Sequence, residues 1–564
     1  MKSLSYKKVF IIAAIFLFLS GGNIAKAANV GDIANFNVDK GFDANGRTKI
    51  SAVLIKVSTK LYFYVEKSWW DLKTLAEQNQ IVSGLDNLSS EFDNNIYPNL
   101  TSKFGSEWVP GIDNDSRVSI LFESMNSTEG GYFREDDEYE KLQLPDSNQR
   151  EMVYLSVSHI NDADAKVILA HEFTHLITFN QKNKTFGVEE DVWLNEARAD
   201  YSSTMLGYDN NYNGSNLQQR VKDFIENTSD SITDWTGTRY DYASVGLFTH
   251  YLVEHYGINI LSNSLKSKLV GIKSINEALL GSGTKDNFAQ IFTNWTLALM
   301  ISDCSQNSAY CYSDENLKGL KVNPTLIFLP LTGDSSLSST NVTKNWAGNW
   351  QKIVGGSGNL KLDFSSLAGL SFQMPYITYD KSNNYSVNFL QLNDSGKGEI
   401  NIKDFGTKYK FLIVIPSLQT KISGFDGLDL IYPYTITVSI MGQNSSDADQ
   451  IIIQKLLAQI DDLKKQIANI LSQKQGGQTT KNSNYCSQLN KNLFLGMTGS
   501  QVICLQGFLK NQGLDIYPEG YVTGSFGNLT KAAVIRFQEK HAIPGTGYVG
   551  QLTRAKINQI LNEK

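Results

Sequence analysis

The chain has 564 residues, of which 41% are hydrophobic and 19% are charged. This length is too great for one core, and this composition is that of a folded globular protein rather than a disordered or fibrous one. The formal net charge of -6 argues against nucleic acid as the main partner.

The N-terminal residues have the pattern of an export signal. Three lysines within the first eight residues precede an apolar run from Val9 to Leu19, and Ala25-Lys26-Ala27 provides a small-x-small cleavage site. We predict a signal peptide over 1–27 and a secreted protein; an uncleaved anchor is the alternative. Because no later stretch approaches a spanning length, no transmembrane segment is expected in the mature form.

Residues 28–320 are predicted to form one α+β domain. The predicted elements, in chain order, are two strands or a hairpin over 49–70, a helix near 72–92, strands at 118–122 and 152–157, a long helix over 162–180, and further helices to about residue 303. Acidic residues stand at the start of the long helix, where the helix dipole favours them.

The long helix carries His171-Glu172-Phe173-Thr174-His175. Residues i and i+4 share one face of an α-helix, so His171 and His175 can present two imidazole nitrogens to one metal ion. Glu172 is placed to reach a water on that ion rather than the ion itself. Zinc suits this pattern because it accepts nitrogen and oxygen ligands and keeps an open position for water.

A third ligand is expected 21 residues beyond His175, in Asn195-Glu196-Ala197-Arg198-Ala199-Asp200. The segment has a helical pattern, so Glu196 and Asp200 share a face. We predict Glu196 as the third ligand. Asp200 is expected to accept the spare N–H of a liganding histidine and so fix its tautomer.

These two motifs, at this separation, resemble those of the gluzincin metallopeptidases, the group that includes thermolysin, and most of all the hyicolysin-like secreted peptidases. The resemblance extends over roughly residues 50–300 and includes Gly131-Tyr132-Phe133. It implies a gluzincin-like fold, one catalytic Zn²⁺ and hydrolysis of protein peptide bonds. The downstream histidine motif of thermolysin has no counterpart here, so the oxyanion donor must come from elsewhere.

Metal-assisted hydrolysis needs a base and an oxyanion donor. Glu172 is the predicted base. Tyr242 is our first choice of donor, because Asp241-Tyr242 belongs to the family-like segment; Tyr240 is the alternative, because Tyr240-Asp241-Tyr242-Ala243 resembles a Tyr-x-x-small pattern of other gluzincins. Each tyrosine has the competing interpretation of a packed aromatic residue. His250 and His255, five residues apart, are interpreted as structural.

Cysteines and acidic runs allow further expectations. The four cysteines form two local pairs, Cys304/Cys311 and Cys486/Cys504, which we expect to be disulfides in an oxidising compartment. The acidic clusters at 113–115 and 136–138 are candidates for Ca²⁺, with solvated turns as the alternative.

Two segments separate this domain from the C-terminus. Residues 321–445 contain short β-rich runs between Gly, Asn, Asp and Ser, which predicts a β-sandwich-like domain. Within 446–483, apolar residues over 451–471 alternate in steps of three and four. This heptad pattern predicts a short coiled coil, as an oligomerisation element or a single spacer helix, followed by a polar linker.

Residues 484–564 hold eight Lys/Arg and four Asp/Glu, a charge of +4. The motifs Leu495-Gly496-x-x-Gly499-x-x-Val502 and Phe526-Gly527-x-x-Thr530 resemble the peptidoglycan-binding domain type one. The resemblance implies a small three-helix domain that binds bacterial peptidoglycan. Two near-repeats, 526–532 and 549–555, each place a glycine before a Thr that can start a helix.

The sequence therefore predicts a multidomain protein: a secreted zinc endopeptidase that acts on proteins or peptides outside the cell and is retained at the bacterial wall. Two alternatives remain. One is a hydrolase of peptidoglycan stem peptides. The other is a non-enzymatic wall-bound adhesin with a relic zinc site, against which Glu172 argues, because a relic needs no base.

Overall fold

The computed structural model describes residues 28–331, 333–425, 430–442 and 488–562, except for positions 496, 498, 514, 518–521, 523, 525 and 542. The signal peptide, the heptad segment at 451–471 and Cys486 lie outside these residues, so what the sequence indicates about them stays a prediction. The chain divides into two compact units, Met1–Gln450 and Ile451–Lys564. Within the described ranges, no helix is long and apolar enough to cross a membrane.

The first unit begins with a mixed six-stranded sheet in the order β1-β2-β3-β4-β6-β5. Its strands are β1 Ile33–Asn37, β2 Lys49–Val57, β3 Leu61–Glu66, β4 Val118–Glu123, β5 Gly131–Phe133 and β6 Met152–Ser156. The hairpin expected over 49–70 is confirmed as β2 and β3. The three central strands β3, β4 and β6 run parallel and every residue in them is buried, as expected for strands covered on both faces. Strand β5 is an edge strand.

Helices cover this sheet and continue beyond it. Their bounds are α1 Lys67–Trp70, α2 Leu75–Glu91, α3 Tyr97–Phe104, α4 Ala165–Phe179, α5 Val192–Met205, α6 Asn216–Glu226, α7 Arg239–Tyr256, α8 Asn259–Leu265, α9 Gly271–Gly281 and α10 Phe288–Ile301. A capping box at Thr74 starts α2, because Thr74 and Glu77 satisfy each other's backbone N–H groups. Helix α4 begins three residues later than the sequence predicts, at the end of a turn through Asp162–Asp164.

A β-rich region follows, as expected. Its strands are β7 Thr325–Leu329, β8 Ser335–Thr343, β9 Gln351–Gly355, β10 Gly358–Ser366, β11 Phe372–Gln373, β12 Pro375–Asp380, β13 Tyr385–Phe389, β14 Lys397–Phe405, β15 Tyr409–Val414, β16 Ser417–Leu418 and β17 Tyr432–Gly442. One residue pair, Phe405 and Tyr409, links the group β13-β12-β15-β9-β7 to the group β14-β10-β17-β8. Side chains from both groups form one apolar core.

The β-rich region is not independent of the helices. Trp346 lies between the rings of Phe288 and Phe292 on α10, at 4.9 and 5.5 Å. The indole N–H of Trp350 donates to the carbonyl of Thr296 on the same helix. Trp346 and Trp350 therefore belong to the apolar core of the helical region, while other side chains of the β-rich region form a core of their own within the same compact unit. The division into domains 28–320 and 321–445 stays a prediction. The Cys304–Cys311 disulfide, just after α10, is confirmed.

The second unit contains α11 Ser500–Asn511, α12 Asn528–Lys540 and α13 Gln551–Asn562 around a small apolar core. The near-repeat has a structural cause. Gln506 on α11 donates to the Thr530 hydroxyl at 2.9 Å, and Gln538 on α12 donates to the Thr553 hydroxyl at the same distance. Thr530 lies inside α12 rather than at its N-cap, which is Gly527. Each Thr is thus the hydrogen-bond partner of a buried Gln. The prediction that Thr530 starts a helix is wrong, because Thr530 lies inside α12.

Candidate metal centre

Helix α4 is anchored by its apolar side chains. Leu169, Phe173 and Ile177 are fully buried, and the Phe173 ring meets the Phe92 ring edge-on at 4.9 Å. Because this face is held in the core, the i, i+4 pair His171 and His175 is directed to one side of the helix. The two imidazole rings lie 4.8 Å apart.

Helix α5 brings Glu196 to both histidines. One Glu196 carboxylate oxygen lies 3.2 Å from His171 Nε2 and the other lies 3.6 Å from His175 Nε2. One ligand atom from each of the three residues can be chosen so that all lie within 4.8 Å of one another. Two imidazole nitrogens and one carboxylate oxygen match the donor set of zinc, with a position left for water.

Two polar atoms of this cluster, His175 Nδ1 and Glu196 Oε2, lack hydrogen-bond partners among the described residues. A missing partner is expected of a group that faces a shared cation. Glu196 Oε2 is buried and makes no hydrogen bond within the described part of the chain, although His171 Nε2 is so close. Burial by itself would raise the pKa of Glu196, but the two histidines lower it. The residues present therefore fit a metal ion.

Burial and the neighbouring carboxylates shift the pKa values of the two histidines. Burial would lower the pKa of His171, but the Glu196 and Glu172 carboxylates outweigh it and raise that pKa to about 9. Burial lowers the pKa of His175. Without a metal, His171 therefore holds a proton at neutral pH, and a metal ion has to displace it.

Glu172 lies beside the cluster and is 6% exposed. Burial, assisted by the Glu196 carboxylate, raises its pKa to about 8 despite the opposing effect of His171. Gly131 at the start of β5 allows this close packing: a Cβ there would lie 2.7 Å from Ile168 and 3.2 Å from the Glu172 Cγ. The edge strand β5 therefore borders the candidate centre.

Asp200 is buried next to the centre, but its hydrogen bonds are made with Arg220 and Asn216 rather than with a histidine. Its Oδ1 accepts from the Arg220 guanidinium at 2.7 and 2.9 Å and from the Asn216 amide at 2.8 Å. Burial would raise the pKa of Asp200, but Arg220 and Asn216 lower it, so Asp200 is ionised and favours positive charge on His171. No sequence motif pointed to Arg220 or Asn216.

The two candidate tyrosines, Tyr242 and Tyr240, have different surroundings in the structure. The Tyr242 ring lies 6.4 Å from the His171 ring and packs edge-on against Trp235. Burial, then the Glu196 and Glu172 carboxylates, raises the pKa of the Tyr242 hydroxyl, which therefore keeps its proton. The Tyr240 hydroxyl instead contacts Arg239 and Glu226.

A buried ionic network, also absent from the sequence-based predictions, fixes the helices that carry the ligands. Lys182, just after α4, donates to the carbonyls of Ser264 and Ser267 and lies 3.5 Å from Glu190. Glu190 accepts from Arg198, two residues beyond Glu196, at 2.8 Å. All three charged side chains are buried, so each depends on the others for compensation.

The remaining histidines of this unit serve other contacts. His250 is buried and pairs with the Thr204 hydroxyl, and His255 contacts the Cys311 carbonyl, which fits their interpretation as structural. His159 pairs with Asp162 in the turn before α4; with Asp164 it forms a second, partly exposed group of metal-ligating type.

Known proteins resemble two parts of the chain. Residues 498–557 match the model of the putative peptidoglycan binding domain. The neutral metalloprotease ShpI of Staphylococcus hyicus is 32% identical over 190 residues. The resemblance to metalloproteases is confirmed. The matched part covers 29% of this chain and 41% of that relative.

Solved structures give only weak similarities. The Yersinia pseudotuberculosis-derived mitogen is 10% identical with a TM-score of 0.14, covering 20% of this chain and 92% of that one. The copper-binding protein CorA of Methylomicrobium album BG8 is also 10% identical with a TM-score of 0.14, covering 21% and 98%. These similarities carry no inference about fold or function.

Proposed function

We propose that the protein is a secreted, zinc-dependent endopeptidase of gluzincin-like fold, retained at the bacterial wall by its C-terminal domain. The observation that carries this proposal is the convergence of His171, His175 and Glu196 on one point, with the Glu172 carboxylate beside them. The similarity to a neutral metalloprotease over 190 residues supports the same reaction class.

In the proposed mechanism, His171, His175 and Glu196 hold Zn²⁺. Zinc bound there would act as a Lewis acid on the scissile carbonyl and lower the pKa of a water in its open position. Glu172 accepts a proton from the attacking water and donates it to the leaving amine. Glu172 is buried beside the ligands, so its carboxylate is within the enclosed surroundings of the proposed ion.

Two neighbouring residues complete the proposed machinery. The protonated Tyr242 hydroxyl donates a hydrogen bond to the oxyanion that develops on the carbonyl. The Asp200 carboxylate is held by Arg220 and favours positive charge near His171. It therefore favours a cation bound by the three ligands.

A polypeptide substrate suits the surroundings of this centre. Strand β5 borders Glu172 and has only β6 as a strand partner among the described residues. An edge strand offers backbone N–H and C=O groups to an extended peptide, which can bind as a further strand. This supports protein or peptide substrates over small molecules.

Retention at the wall rests on the second unit. It matches the putative peptidoglycan binding domain, and it exposes two aromatic side chains side by side. The Phe494 and Tyr548 rings are stacked with centroids 6.1 Å apart, and the residues are 49% and 41% exposed. Exposed aromatic rings can pack against the C–H face of a sugar, so we infer that this pair contributes to glycan binding.

The decisive test is Glu172→Gln in the full chain. We expect zinc content near that of the wild type and a loss of peptide cleavage by roughly three or more orders of magnitude. Zinc is measured by atomic absorption and cleavage with a quenched fluorescent peptide. Substantial residual cleavage would remove Glu172 as the base and with it the proposed mechanism.

A hydrolase of peptidoglycan stem peptides is the second candidate, favoured by the C-terminal domain match. Casein cleavage and clearing of purified wall suspensions, measured on one preparation, separate the two activities. Clearing without casein cleavage would favour this second candidate. A protein that holds zinc and shows neither activity would favour a wall-bound adhesin with a relic site.

A further inference from the structure

A cavity of about 500 Å³ in the first unit is lined by the residue at which the mature chain is predicted to begin. Ala28, the residue directly after the predicted cleavage site Ala25-Lys26-Ala27, forms part of its wall. The rest of the wall comes from β3 and from the loops before β4 and β6. Removal of the signal peptide would therefore create a new chain terminus at this cavity.

The segment that follows Ala28 is held against the sheet. The Gly31 N–H donates to the Leu54 carbonyl at 2.8 Å, and the Leu54 N–H donates to the Asp32 carbonyl at 2.9 Å. The Asp32 carboxylate also accepts from the Asn29 N–H at 2.8 Å. Ala28 itself packs against the apolar cluster on this face of the sheet. These contacts hold Ala28 at the cavity wall.

The wall of the cavity carries more negative than positive charge. Its charged residues are Asp113, Asp115, Glu140 and Arg150. Asp115 has partners of its own, because it pairs with Arg117 at 3.1 Å and accepts from the Tyr62 hydroxyl at 2.6 Å. Glu140 is exposed to solvent. With Arg117 included, three carboxylates stand against two guanidinium groups, so this part of the structure has an excess of one negative charge.

Asp113 is the wall carboxylate with the least compensation. Its Oδ1 accepts from the Asp115 N–H at 2.9 Å, and no lysine or arginine within the described ranges forms an ion pair with it. The Arg150 guanidinium instead donates to the Tyr64 hydroxyl at 3.0 Å. Burial raises the pKa of Asp113, although the Asp115 N–H and the charge of Arg150 oppose this effect. A cation in the cavity would favour the ionised carboxylate.

We propose that this cavity binds the α-ammonium group of the mature chain, with Asp113 as its main partner. Hydrolysis of the Ala27–Ala28 bond by a signal peptidase consumes one water and leaves a carboxylate on Ala27. The Ala28 nitrogen becomes an amine that takes up a proton near neutral pH. A sphere of this volume is about 10 Å across, which is close to the screening length at physiological salt, so the ammonium and Asp113 interact from any two points of the wall.

The ion pair links removal of the signal peptide to the fold. Asp113 lies in the loop directly before β4, a central strand of the sheet, whereas Ala28 leads into the edge strand β1. In the uncleaved chain the Ala28 nitrogen is a neutral amide, so this electrostatic contact is missing. The inference rests on the proposed export of the protein, but it does not depend on zinc or on peptidase activity.

The position of cleavage is tested first. The full chain is exported from a bacterial host, and the purified protein is sequenced from its N-terminus. The first residue should be Ala28. A first residue downstream of Ala28, or retention of the residues before it, would overturn the proposal, because the ammonium group would then lie elsewhere.

The ion pair is tested on a full mature chain that begins at Ala28, prepared by exact removal of an N-terminal fusion. The rate at which acetic anhydride modifies the Ala28 amine is read by mass spectrometry of the N-terminal peptide. Only the neutral amine reacts, and a nearby carboxylate keeps the ammonium protonated to higher pH. At about pH 7.5 the wild type should react about threefold or more slowly than Asp113→Asn, and the two rates should converge at about pH 10.5, where both amines are neutral.

Asp113→Asn is expected to fold, because asparagine keeps an oxygen acceptor for the Asp115 N–H. Asp146→Asn is the matched control: Asp146 is exposed in the loop before β6 and is not part of the cavity wall, so this variant should react like the wild type. Two residues added before Ala28 move the ammonium by up to about 7 Å and should abolish the difference between the wild type and Asp113→Asn.

Two results would overturn the ion pair without affecting the proposed export or peptidase activity. One is an equal rate for the wild type and Asp113→Asn at the lower pH. The other is a difference that persists at the higher pH, because access to the amine rather than its charge would then set the rate.

Discussion

The Tyr242 ring lies 6.4 Å from the His171 ring, on the first turn of α7. Trp235 packs edge-on against Tyr242, and the Arg220 guanidinium lies 4.9 Å from the centre of its ring. Arg220 also holds Asp200, so a single side chain connects the tyrosine to the surroundings of the ligands. The proposed oxyanion donor is thus fixed before substrate arrives.

Tyr242→Phe should lower kcat by roughly 100-fold with little change in KM, because it removes a hydrogen bond made mainly in the transition state. Steady-state kinetics on a fluorogenic peptide measure both constants. Tyr240→Phe is the matched control and should keep most of the activity, because its hydroxyl contacts Glu226. A larger loss for Tyr240→Phe than for Tyr242→Phe would reverse the assignment.

Glu196→Ala should reduce the zinc content of the purified protein well below one ion per chain, because only two imidazole ligands remain. Zinc is measured after dialysis against a weak chelator, and circular dichroism checks folding. Glu189→Ala, at an exposed position of the preceding loop, should keep its zinc. Full occupancy in Glu196→Ala would exclude Glu196 from the ligand set.

The sequence predicted those parts of the centre that depend on local geometry. The i, i+4 spacing of His171 and His175 is a property of any helix, and resemblance to a known family supported Glu196. The hairpin, the strands at 118–122 and 152–157 and the long helix followed from hydrophobic periodicity, whereas the parallel pairing of those strands did not.

The features of the fold and the centre that the sequence did not predict depend on contacts between segments far apart in the chain. Arg220 is 20 residues from Asp200, and Lys182 finds its carbonyl partners more than 80 residues away. The packing of Trp346 on α10 connects the β-rich region to the helices, a contact between segments of different composition that the sequence did not predict. Local patterns carry no signal for such pairs, since any buried tryptophan or arginine has many potential partners.

Glu123 gives a prediction for the dependence of stability on pH. It is buried on β4, and its carboxylate accepts from the Tyr132 hydroxyl at 2.7 Å. Burial, helped by Asp43 and Glu66, raises its folded-state pKa to about 8. The folded protein therefore binds more protons than the unfolded chain between roughly pH 4.5 and 8, so Glu123 lowers the free energy of unfolding as pH rises through that interval.

Glu123→Gln should remove this penalty. Relative to the wild type, we expect it to gain roughly 1–3 kcal/mol of stability at pH 8 and little at pH 4.5. Urea unfolding followed by tryptophan fluorescence at both pH values measures the difference. The exposed variant Glu140→Gln should follow the wild type at both. An equal change in stability for Glu123→Gln at the two pH values would indicate that Glu123 does not titrate as stated.

The aromatic pair of the second unit gives the last prediction. Phe494→Ala and Tyr548→Ala should each reduce binding to purified peptidoglycan by roughly tenfold, because each leaves one ring without its stacked neighbour on the sugar face. Binding is measured by co-sedimentation of the full chain with insoluble walls.

Leu529→Ala, which removes an apolar side chain 45% exposed on the same unit, is the matched control. Peptide cleavage in solution should not change in any of the three, because the centre is built entirely from the first unit. Wall binding equal to the wild type in both aromatic variants would exclude this pair as the glycan contact.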